Sequence, residues 1–153
     1  MRQILKLIAA LLFLSTSVGA RDVDNERTLE VISRCVGYLA LKVQAGESDD
    51  KEVNERLRLD LTSRNLQFFV LAGGAVGNEM NLTDEALTKR FEKETEIWRG
   101  IFQLGVKHEQ FKPYGLLKAY EIECYEEGSI YGQASEVIAA AGLKRESAAI
   151  FEN

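Results

Sequence analysis

Along most of this chain apolar residues recur at steps of three and four, a period that predicts helices rather than strands. Leu29, Ile32, Val36, Leu39 and Val43 make one stripe between about Asn25 and Ala45. Asp22, Asp24 and Glu26 favour the positive end of that helix, and Gly46 supplies a stop. Cys35 lies beside the stripe, facing the core or its edge. A second helix is expected after Ser48-Asp49-Asp50, where Asp49 and Glu52 stand in a capping-box-like relation. Val53, Leu57, Leu61, Phe68 and Leu71 fit its inner face. Leu57, Leu59 and Leu61 alternate as a strand would, but Arg56, Arg58 and Asp60 among them suit a helix. The pattern predicts its end near Gly73-Gly74 and a flexible connection from Gly73 to Asn81.

The third helix carries the clearest signals. Thr83 is an N-cap, Asp84 and Glu85 fill the first turn, and Leu82 and Leu87 occupy the positions of a hydrophobic staple. Leu87, Phe91, Glu94, Trp98, Ile101 and Gly105 trace one face, with Glu94 expected at the rim because a buried carboxylate needs a partner. The fourth helix starts at Pro113, where a missing N–H costs nothing, and sets Leu117, Tyr120, Cys124 and Tyr131 on one face. Gly128 and Gly132 are places for it to bend or break. Ala134, Val137, Ile138 and Ala141 continue the apolar side. Gly142 reads as a left-handed C-cap with Leu143 folding back onto Ile138. Lys144 to Asn153 is expected to be a frayed turn or short helix, docked by Ile150 and Phe151.

Pro113 is the single proline, too little punctuation for a β-sandwich of this length. The expectation is an all-α, single-domain antiparallel bundle of about four helices in up-down-up-down order, with the first and fourth as neighbours.

Residues 1–20 follow the layout of a secretory signal peptide. Arg2 and Lys6 give a positive start, Ile4 to Leu14 an apolar run, and Val18-Gly19-Ala20 a small-residue exit. Cleavage after Ala20 would leave residues 21–153 as one domain, secreted or periplasmic, without a stable membrane anchor, since a span takes roughly 20 apolar residues. In an oxidising compartment an even cysteine count predicts pairing, here Cys35 with Cys124. Such a bridge closes a loop of about 90 residues and stabilises by at most roughly 4.6 kcal/mol on the chain-entropy account. It would staple the first helix to the fourth.

The whole chain has 19 basic and 24 acidic residues. Removing Arg2 and Lys6 leaves 17 against 24, a net charge near −7. Without a basic cluster the chain is a poor binder of phosphate backbones, so nucleic acid is not an expected partner. No catalytic, metal-binding or cofactor-binding residue is assigned. His108 is the lone histidine, too few for Glu-x-x-His di-iron sites or His-rich zinc sites. Met80 with His108 is a chance haem pair rather than a designed one, and covalent haem lacks its Cys-x-x-Cys-His. Gly73-Gly74-Ala75-Val76-Gly77 lacks the Lys-Ser/Thr of a phosphate loop. Glu92, Glu94 and Glu96, and Glu121, Glu123, Glu126 and Glu127, read mainly as solvated helix faces, with a carboxylate-pair hydrolase as the remote alternative. Asn81-Leu82-Thr83 has the form of a glycosylation sequon, left unassigned because Thr83 already caps a helix.

One stretch points to contact with another molecule. Tyr114, Tyr120, Tyr125 and Tyr131 cluster with Gly128 and Gly132, and tyrosines on both faces of one helix cannot all be core. Residues 114–132 are therefore the candidate interaction surface. The expected function is non-catalytic: an adaptor, inhibitor or chaperone-like protein that binds another exported protein. The alternative is a small-ligand carrier with an apolar pocket between helices.

Overall fold

The computed structural model describes residues 25–46, 59–107 and 114–152. The expected signal segment, the Ser48–Glu52 helix start, His108 and Pro113 lie outside the described residues. Among them the chain forms six helices: α1 Asn25–Gly46, α2 Leu59–Glu79, α3 Asp84–Lys107, α4 Tyr114–Glu123, α5 Ser129–Ala140 and α6 Lys144–Glu152. No strand accompanies them, and the fold is all-α.

α1 is the central element. It packs most extensively on α2 and α3 and also touches α4 and α5. Its stripe turns inward as the spacing predicts, with Leu29, Ile32, Val36 and Leu39 at 3% exposure or less and Val43 partly buried at its end. Burial then spreads past the stripe to every residue from Cys35 to Leu39, because α1 has neighbours on several sides. Each fully buried Leu, Ile or Phe here contributes about 1.5–3 kcal/mol relative to exposure.

Contacts fix the directions of the helices. Asn25 Nδ2 donates to Glu79 Oε2 (3.3 Å) at one end of α1, and Leu59 packs on Gly46 at the other, so α1 and α2 are antiparallel. Arg90 pairs with Glu26, and Arg99 with Gln44 (2.9 Å), so α3 runs parallel to α1. α4 runs back along α1, with Cys124 at Cys35 and Glu121 at Tyr38 and Lys42. The first and fourth segments are neighbours, as the up-down-up-down order predicts. The ring order of that simple bundle is not kept: α3 leans on α1, and its contact with α2 is slight.

Gly37 is what lets α3 come so close. A Cβ at that position would lie 2.6 Å from the Glu94 carbonyl carbon and 2.8 Å from both Glu94 Cβ and Thr95 N. The α3 backbone therefore crosses directly over a missing side chain. The adjoining Glu94 is partly buried, and that desolvation raises its pKa, partly countered by Arg34. The rim position expected for it fits.

α2 runs through Gly73 and Gly74 to Glu79, about one and a half turns further than the pattern predicts. Phe91 packs against Gly73 and Leu87 against Gly77, so α3 gives these small residues a wall to lean on. The helix then ends in a Schellman motif: Asn81 N donates to Asn78 O (3.1 Å) and Leu82 N to Gly77 O (2.9 Å), with Asn81 at φ +56°. The next two residues start α3 as expected, Ala86 N donating to Thr83 Oγ1 (3.2 Å) above a buried Leu87.

The predicted fourth helix is broken between Glu123 and Gly128. A Cβ on Gly128 would stand 2.3 Å from the Glu123 carbonyl oxygen and 2.4 Å from that of Ile122, so this turn accepts glycine alone. The Glu123 carboxylate caps α5 from six residues upstream, accepting from Ser129 N (2.9 Å), Ser129 Oγ (2.5 Å) and Ile130 N (3.3 Å). Those donors, Ser129 Oγ foremost, hold its pKa below the usual carboxylate value. α5 ends as the sequence indicates: Gly142 has φ +74°, Leu143 N donates to Ile138 O (2.9 Å), and both Leu143 and Ile138 are buried. α6 is the short terminal helix, docked by Ile150, Phe151 and a bond from Arg64 Nη1 to Phe151 O (2.9 Å).

Candidate functional site

The Cys35 and Cys124 sulfurs are bonded at 2.08 Å, with Cα atoms 5.5 Å apart and both residues fully buried. The bridge joins the middle of α1 to the residue after α4. One turn away, a polar cluster repeats the connection. Tyr38 donates its hydroxyl to Glu121, and Lys42 Nζ donates to both Glu121 carboxylate oxygens (2.9 and 2.8 Å) and to Tyr125 Oη (3.2 Å). Tyr125 Oη in turn meets the buried Thr62 Oγ1 at 3.0 Å. The Lys42 ammonium lies 5.6 Å and 5.4 Å from the ring centroids of Tyr38 and Tyr125, within cation–π range. Burial, then the Glu121 carboxylate, drives the Tyr38 phenol pKa far up, so Tyr38 stays a hydrogen-bond donor.

The sequence-selected tyrosines divide between this cluster and the core. Tyr120 sets its ring edge-on to Trp98 (centroids 4.6 Å) and tilted to Tyr38 (6.0 Å). Trp98 also meets Tyr38 edge-on at 5.2 Å and donates its indole N–H to Arg34 O (3.0 Å). Tyr131 stacks on Phe68 at 4.3 Å and meets Phe69 edge-on. Tyr120, Tyr125 and Tyr131 are thus half-buried and turn their rings inward, while Tyr114 opens α4. Gly128 is buried in the turn, and Gly132 is exposed with open space at its Cα.

The outward side of the same region carries what the tyrosine pattern missed. Among the described residues the large apolar side chains left exposed are Ile97 (45%), Leu104 (49%), Leu116 (45%) and Ile122 (54%). All four lie on α3 and α4, the helices that meet at Trp98 and Tyr120. Ile97, the partly buried Ile101, which also packs on the core, and Leu104 follow steps of four and three, which places them on one flank of α3. A helical wheel of α3 shows this second, offset apolar flank. The signal was present in the sequence but lay hidden beside the stronger core stripe.

The carboxylates near this face are engaged: Glu121 with Lys42 and Tyr38, Glu123 with the start of α5, and Glu96 with Arg99. Among the described residues no group of three or more His, Cys, Asp or Glu gathers to hold a metal ion, and no helix is long and apolar enough to cross a membrane. No protein-family model, curated protein or solved structure matches the chain.

Proposed function

We propose that this protein acts outside the cytoplasm by binding another exported protein, without catalysis, through the α3–α4 face. The observation that carries this reading is that the large apolar side chains left exposed among the described residues, Ile97, Leu104, Leu116 and Ile122, all belong to α3 and α4, each near half exposure. Apolar side chains scattered singly over a surface need no explanation, whereas a group on adjoining elements marks a contact site. The half-buried tyrosines behind it form a firm base, held by ring contacts and by the Lys42 cluster. A buried disulfide supports the extracytoplasmic setting, since such bonds persist where the surroundings are oxidising.

A photo-crosslinking side chain at position 122, placed in the protein as secreted by its own source, tests the reading. The expected result is one discrete protein adduct. Leu116→Glu with Ile97→Glu should abolish it while leaving helical circular dichroism intact, since both positions are exposed. Anchor residues of an interface cost more than 1 kcal/mol each when removed, so affinity should fall at least about tenfold. An adduct that survives both substitutions, or a smear of non-specific products, overturns the proposal.

A further inference from the structure

We propose that α4 is a covalently latched cover over Trp98, seated when the Cys35–Cys124 bond forms and released when it is reduced, while the other helices remain folded. Three observations converge. First, α4 is only ten residues long, and isolated helices below about 12–15 residues are marginal in water. Second, most of its described side chains face solvent. Leu116, Lys118, Ala119, Glu121 and Ile122 are exposed, and its contacts run to α1 and α5 and, through Tyr120 and Trp98, to α3. Among the described side chains Tyr120 turns inward, with the buried Cys124 one turn further on. Its polar hold is the half-exposed Glu121 carboxylate, which accepts from the largely buried Lys42 and from the Tyr38 hydroxyl, both on α1. Third, the remaining helices close on one another without α4: α1 packs on α2, α3 and α5, and α2 packs on α5 and α6.

The redox step is ordinary thiol–disulfide exchange with a dithiol reductant. Its thiolate attacks one sulfur of the pair, and the Cys35–Cys124 bond breaks. Its second thiol then displaces the mixed disulfide, leaving Cys35 and Cys124 as thiols and the reductant as a cyclic disulfide. Both cysteines are fully buried, so exchange proceeds through local opening of α4 rather than by direct attack on the closed molecule. Reduced thiols in the same places fill nearly the same volume and leave the core packed. What is lost is the tether. Where the α3–α4 face is the binding face, a clause that rests on the function proposed above, that face is complete only in the oxidised protein.

Trp98 is the single tryptophan of the chain and reports on the cover directly. It is 3% exposed, with the Tyr120 ring against it. Emission, acrylamide quenching and far-ultraviolet circular dichroism would be compared for the oxidised protein, the protein reduced with dithiothreitol, and Cys124→Ala, which needs no reductant. The expected result in the last two is a red-shifted emission, a severalfold larger quenching constant and retention of most helical signal. Unchanged Trp98 emission and quenching in Cys124→Ala overturns the inference. Loss of all helical signal together with the tryptophan change also overturns it, because the remaining helices would then depend on the latch. Neither readout involves a partner, so failure here and failure of the binding reading are separate results.

Discussion

Alanine at Gly37 should destabilise this protein, although alanine is the better helix former. In a helix interior the substitution by itself favours the folded state by about 1 kcal/mol. Here the new Cβ would sit 2.6–2.8 Å from three atoms of Glu94 and Thr95, two of them backbone. Carbon atoms prefer about 3.5–4.0 Å, so α3 must retreat from α1 by about 1 Å at the crossing. Backbone cannot swing aside as a side-chain tip can. Overpacking of this kind costs typically 1–3 kcal/mol, and the upper end applies because the retreat also loosens Phe91 and Trp98 against the core. The net expectation is a loss of about 2 kcal/mol. With a urea slope of about 2 kcal/mol/M, the unfolding midpoint falls by about 1 M. The matched control is Gly100→Ala, in a helix but with open space at its Cα, which should raise stability by about 0.5–1 kcal/mol. Urea titration of the oxidised proteins, followed by circular dichroism, separates the two. If Gly37→Ala is as stable as Gly100→Ala, the close α1–α3 crossing is wrong.

Two further outcomes follow from the caps. The Glu123 pKa is lowered in the fold, so its cap on α5 stabilises at neutral pH and is lost as pH falls from the unfolded value near 4.5 through the lower folded value. The stability difference between the parent and Glu123→Gln should therefore shrink over that acid range, measured by thermal melts at successive pH values; a difference that stays constant would refute the cap. Asn81 holds a left-handed backbone, so Asn81→Leu should cost about 1–2 kcal/mol and Asn81→Gly almost nothing, compared by chemical denaturation. Equal stability of the two variants would remove the strain argument.

What the sequence made legible was local. Thr83 and Gly142 announce their caps because the groups they satisfy lie within a few residues, and the stripe of α1 is visible because one helix carries it whole. One signal was overridden from a distance, and one, the break expected at Gly128, was legible only in part. Gly73-Gly74 reads as a stop until Phe91 and Leu87 from another helix are seen to pack on Gly73 and Gly77. The fourth helix breaks at Gly128, but its new start is capped by Glu123, six residues earlier and out of register with the familiar three-residue capping box. The candidate surface was half visible for the same reason. Tyrosine content drew attention to residues 114–132, yet the rings were claimed by Trp98, Lys42 and Phe68 on other helices, partners that no local pattern encodes. Leu116 and Ile122 lie within that stretch, but no periodic signature of their own singles them out.

The central place of α1 has a consequence for how the molecule comes into being. Its buried run from Cys35 to Leu39 is lined by segments synthesised afterwards, the farthest lying beyond residue 124. During translation this helix must wait, sticky on several sides, for nearly ninety more residues before its surroundings exist. Long-range closure of that sort is slow and leaves nascent chains prone to aggregate. Helper factors that shield the young polypeptide would matter more here than for a bundle whose successive helices pair as they emerge.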